Sequence, residues 1–124
     1  MATSTAAPVA VRHPLDPLTA DEIRAAVAVV RASDRLGRQV LFIRVALHEP
    51  PKSTVLAFQA SDALERQAFV LLRDRLARTT CEVIVSITRR TILSWKDLPG
   101  VQPPITFDEF LECERMVQSD PTWQ

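Results

Sequence analysis

The apolar residues of this chain change period at Gly37, and that change narrows the folds open to it. Ahead of Gly37, Ile23, Ala26, Val27 and Val30 stand at i, i+3, i+4 and i+7, the spacing of one stripe along a helix. Thr19-Ala20-Asp21-Glu22 has the spacing of a capping box, in which the threonine hydroxyl accepts from the Glu22 backbone N–H while the Glu22 carboxylate reaches back. Asp21 and Glu22 also suit the positive end of a helix, which is expected to finish near residues 31–33. Beyond Gly37 the period is two: Leu41, Ile43, Val45 and Leu47 alternate with Phe42, Arg44, Ala46 and His48. That is the pattern of a strand.

Two prolines, Pro50 and Pro51, cannot donate to a sheet ladder and end this strand. Further strands are expected at residues 54–58, 68–72, 81–87 and 91–95, separated by a polar loop at 59–66, a turn at 74–78 and a basic turn at Arg89-Arg90. Short connections favour antiparallel pairing. The expected fold class is therefore α+β, with one amphipathic helix packed on a four- to five-stranded antiparallel sheet. Pro99, Pro103 and Pro104 with Gly100 then read as a linker. A second capping box, Thr106 to Glu109, opens a short helix carrying Phe107, Phe110, Leu111 and Val117, with Pro121 beyond its end. Each large apolar side chain gains about 1.5–3 kcal/mol on full burial, so this second stripe needs a surface to cover. The resulting division is a disordered tail at 1–12, an α+β domain at 13–98, and a linker with the opening helix of an incomplete domain at 99–124.

Composition restricts the chemistry. Fifteen Lys and Arg balance fifteen Asp and Glu, so no general attraction to nucleic acid or anionic lipid is expected. The first residues lack a basic segment leading into an apolar run, and no stretch reaches the length of a membrane span. A cytoplasmic location follows as the expectation, with Cys81 and Cys113 as two buried, unpaired thiols. His13 lies in the tail region and His48 at a strand end, and no His-x-His or Cys-x-x-Cys spacing occurs, so no metal ligands are assigned. Cys81 and Cys113 read as packing residues rather than nucleophiles, and Asp21/Glu22 and Asp108/Glu109 as helix-start charges rather than acid/base pairs. Arg73, Arg75, Arg78, Arg89 and Arg90 fall at two turns; an anion or protein contact stands beside the blander reading of a solvated sheet edge. Trp95 reads as a core residue, with packing at a domain boundary as the other choice.

Several segments resemble one family. His13-Pro14-Leu15-Asp16-Pro17-Leu18-Thr19 with the helix after it, the Leu47-His48-Glu49-Pro50-Pro51-Lys52 turn, Ala68-Phe69-Val70, Ser94-Trp95 and the run from Leu98 to Thr106 are similar to the second N-terminal domain of bacterial copper-containing amine oxidases. Asp108-Glu109-Phe110 with Glu112-Cys113-Glu114 resembles the first helix of that family's third domain. The resemblance implies cystatin-like α+β domains placed before a large catalytic β-sandwich, in a homodimer. There, copper and topaquinone made from a tyrosine oxidise primary amines to aldehydes, with release of ammonia and hydrogen peroxide. No catalytic, cofactor-binding or metal residue carries over, because this sequence has no Tyr and two His. Cys81 departs from the pattern where an aromatic residue is expected. Ending at Gln124, early in the third domain, the chain is expected to be a truncated, non-catalytic N-terminal part of such an oxidase. The alternative is a free-standing interaction module with no catalysis.

Overall fold

A computed structural model describes residues 10–123. The order of elements is α1 (Ala20–Arg31), β1 (Val40–Leu47), α2 (Lys52–Ala57), β2 (Gln67–Asp74), β3 (Thr79–Ser86), β4 (Thr91–Leu98) and α3 (Phe107–Ser119), closed by a 3-10 turn at Pro121–Trp123. Residues 1–9 of the expected tail lie outside the described residues, and residues 10–12 form neither helix nor strand.

The four strands make one antiparallel sheet in the order β1-β2-β3-β4, with α1 against one face. The α+β expectation holds, with four strands. Core pairs face each other across the middle of the sheet: Val70 opposite Val83, Ala68 opposite Val85, Leu72 opposite Cys81. Ala26 and Val30 of α1 close over them, all fully or almost fully buried. Both capping boxes form, at Thr19/Glu22 and Thr106/Glu109.

Three expectations are corrected. Residues 54–58 do not form a strand; residues 52–57 form α2 instead. Pro51, with φ −55°, is preset for a helix start, and its carbonyl accepts from the Thr54 and Val55 N–H groups. No strand is needed there, because the end of β1 already lies beside the start of β2, with Leu47 opposite Ala68. Second, β1 does not keep one alternation throughout. Its register shifts between Phe42 and Arg44, so Phe42 and Val45, three positions apart, both pack on the core. A similar irregularity opposite Ile84/Val85 lets Ile92 and Trp95 of β4 both face inward. Third, the buried stripe of α1 is rotated toward Ala26 and Val30, leaving Ile23 36% exposed at its margin. Glu22 lies one turn before Ala26 on this buried line.

Among the described residues no strand follows β4, and α3 has no buried residue. No helix among the described residues is long and apolar enough to cross a membrane.

Candidate functional site

The most organised polar cluster is centred on Arg66, a residue the sequence places only at the end of a polar loop. Its side chain is 6% exposed. Nε donates to Glu22 Oε1 at 2.8 Å and Nη2 to Glu22 Oε2 at 3.1 Å, a forked pair between the loop and α1. Backbone carbonyls that precede α1 also accept from Arg66: Pro14 from Nη1, and Asp16 and Pro17 from Nη2. Burial pushes the Glu22 carboxyl up, but the Arg66 hydrogen bond and the Thr19 N–H together outweigh it and hold the group below its ordinary value. All three nitrogens of the Arg66 guanidinium donate within the chain, so this cluster clamps the 14–19 segment to the sheet.

Beside it, a cavity of about 650 Å3 lies between α2 and the start of β2, lined by His48, Pro51, Phe58 and Leu64 with Asp62 and Glu65. His48 stands at the end of β1 as expected, its Nδ1 3.0 Å from Gln67 Oε1. Asp62 accepts from the Gln59 N–H, and Glu65 pairs with Arg89 at 2.7 Å. His13 accepts from the Leu15 N–H through Nδ1 and meets the Phe58 ring edge-on at 5.8 Å. Among the described residues, no group of three or more His, Cys, Asp or Glu is arranged to hold a metal ion.

The two cysteines separate. Cys81 is buried, as expected, and its Sγ donates to Asp97 Oδ1 at 3.1 Å. Burial and the neighbouring Asp97 carboxylate push its thiol up to about 11, so it is protonated and unreactive at neutral pH. Cys113 is exposed, which corrects the expectation of two buried thiols. It sits on α3, which has no buried residue. Asp21 and Asp108 remain first-turn charges, as the helix starts require. Trp95 packs half-buried against the core, with the Arg35 guanidinium 5.3 Å above its ring. The arginines of the two turns are not brought together. Arg73 at the end of β2 lies with Arg75 and Arg78 of the β2–β3 turn, and Arg89 and Arg90 belong to the β3–β4 turn at the other end of β3.

Comparison with known proteins gives these features a family. Residues 19–95 match the family described as AGAO-like N2 domain. Over 114 residues the chain is 40% identical to a primary amine oxidase of Arthrobacter sp. (strain P1), covering 91% of this chain and 17% of that protein. It is 30% identical to the primary amine oxidase of Klebsiella aerogenes over 110 residues, covering 86% of this chain and 14% of that one. In structure it matches a copper-containing benzylamine oxidase from Hansenula polymorpha with a TM-score of 0.79 at 18% identity, over 90% of this chain and 18% of that chain. The chain thus spans about a sixth of the length of these relatives. The matched span begins at the Thr19 cap and ends at Trp95, taking in α1 and most of the four-stranded sheet: the chain belongs to the AGAO-like N2 domain family of the copper amine oxidases.

Proposed function

We propose that this chain is a non-catalytic N-terminal part of a copper amine oxidase. Residues 13–98 form its second N-terminal domain; residues 99–124 are the linker and first helix of its third. One observation carries the reading: 40% identity over 91% of the chain against 17% of the relative, with residues 19–95 matching the N2 domain family. The role of such a domain is to pack on the catalytic β-sandwich and shape the surface around it. The parent enzyme, a homodimer in this reading, would oxidise primary amines to aldehyde, ammonia and hydrogen peroxide with copper and a tyrosine-derived quinone.

The residues of this chain do not fit either group. There is no Tyr from which a quinone could form, and there are two His against the three that hold copper in this reading, each already bonded, His13 to the Leu15 N–H and His48 to Gln67. No step of amine oxidation is therefore assigned to these residues. Two free thiols support a reducing, cytoplasmic setting.

The test is to incubate the purified chain with copper, oxygen and a primary amine while following peroxide and visible quinone absorbance. Neither is expected to appear, and turnover would overturn the reading. A second reading, a free-standing interaction module, is favoured by the exposed stripe of α3, where Phe107 is 73% and Met116 71% exposed. The gene beyond the codon for Gln124 separates the two. A frame continuing into a Tyr- and His-bearing β-sandwich supports the oxidase part, and its absence supports the module.

A further inference from the structure

The arginines of the β2–β3 turn are absorbed neither by the core nor by the family reading. Arg73, Arg75 and Arg78 line a cleft of about 580 Å3 whose opposite wall is Gln102, Pro103 and Pro104. That volume lies within the range of roughly 300–1,000 Å3 usual for small-ligand sites. We propose that this cleft binds a small tetrahedral oxyanion of the phosphate class, held by Arg73 and Arg78.

Charge accounting distinguishes these two from the third. Arg75 pairs with Glu112 at 3.0 Å, so its charge is already matched. Arg73 is held differently: Nη1 donates to the Arg78 carbonyl at 3.0 Å, to Thr80 Oγ1 at 3.0 Å and toward the Val101 carbonyl at 3.4 Å. All three acceptors are neutral. They fix the guanidinium without cancelling its charge, and its Nε and Nη2 make no hydrogen bond among the described residues. Arg78 has no ion pair among the described residues either, and its backbone is held at φ +56°, a conformation that non-glycine residues seldom adopt. Asp74 accepts from the Leu76 and Ala77 N–H groups, fixing the turn that carries Arg78.

The carboxylate at the cleft, Glu109, is held by Thr106, whose N–H and hydroxyl donate to its Oε2 at 2.9 and 3.0 Å; these bonds, with the charges of Arg75 and Arg73, keep it ionised and below its ordinary value. The facing prolines fix the backbone of the wall. Arg73, fixed by neutral acceptors, and the free Arg78 outnumber the one ionised carboxylate at the cleft, an excess of positive charge that suits an oxyanion, and the Arg73 guanidinium, already immobile, loses little freedom on binding. The chain carries no net charge, so such binding would arise locally rather than from its overall field.

Titration of the full chain with inorganic phosphate, followed by amide chemical shifts at low salt, tests this. Saturable shifts confined to residues 73–80 and 101–106 are expected. Arg78→Gln should weaken phosphate by about tenfold, the loss expected for one charged hydrogen-bonding partner. Its guanidinium makes no hydrogen bond or ion pair among the described residues, so the variant should fold. Arg89→Gln, at the other end of β3, should bind like the parent. Phenyl phosphate serves as a second arm: tighter binding than inorganic phosphate identifies the natural source as a phosphate ester, and weaker binding as the free ion, both within the proposal. Shifts reproduced by sodium chloride at matched ionic strength, unchanged affinity in Arg78→Gln, or tighter binding of a hexaglutamate peptide would each overturn it.

Discussion

Removing the Arg66 guanidinium leaves Glu22 charged on the buried line of α1 with the Thr19 N–H but no cation, and the carbonyls of Pro14, Asp16 and Pro17 lose their donor as well. Breaking a buried pair by deleting one member costs roughly 3–5 kcal/mol, and Arg66→Ala is expected to lose about that much in urea unfolding. Because the folded Glu22 carboxyl lies below its ordinary value of 4.5, it stabilises the fold above that pH, and the contribution drains away as pH falls through the lower, folded value. Glu22→Gln should therefore be less stable at pH 7 and show a flatter loss of stability between pH 5 and pH 3. For the thiols, a native-state reagent such as a disulfide dye should label Cys113 quickly and Cys81 only on unfolding, and Cys113→Ser should abolish the fast phase. Half of the Arg66 pair is legible in the sequence, since 22, 26 and 30 share one helix face. Its partner is not, because the two residues are separated by 44 positions and nothing in a polar loop marks one arginine for burial.

At the level of elements, periodicity identifies those whose burial is one-sided. α1, β2, β3 and β4 are legible in this way, because each has a face sealed against the core. Residues 54–58 mislead because their apolar content suits a strand, while a proline-set start and the nearness of β1 and β2 make a short helix the cheaper connection. The bulge in β1 is equally hidden, since alternation is the same on either side of it and only the packing of both Phe42 and Val45 reveals the change of phase. α3 is legible from its cap and stripe, but nothing seals it. Apart from the exposed Arg75–Glu112 pair, its formation rests on local terms, and Thr106→Ala, a cap loss of about 0.5–2 kcal/mol, should lower helical circular dichroism without shifting the unfolding midpoint of the sheet. Amide exchange in residues 107–119 should likewise be much faster than in β2 and β3.

For the molecule as a whole, the uneven distribution of apolar surface matters most. One face of the sheet is closed by α1; α3 and the segment before it leave Ile105, Phe107, Phe110, Met116 and Trp123 more than half exposed. A domain occupying about a sixth of its relatives' length is consistent with surface that remains to be covered. The purified chain should bind a hydrophobic dye and associate weakly in sedimentation, and a Phe107→Ser/Phe110→Ser variant should reduce both while keeping its thermal midpoint within a few degrees. The strand order has a consequence in time. β2, β3 and β4 are neighbours through tight turns, whereas β1 returns only after the long passage through α2, so closing that loop carries the larger entropic penalty. The three-strand meander should nucleate and β1 should dock late: Val83→Ala ought to slow refolding, while Val45→Ala ought chiefly to hasten escape from the native state.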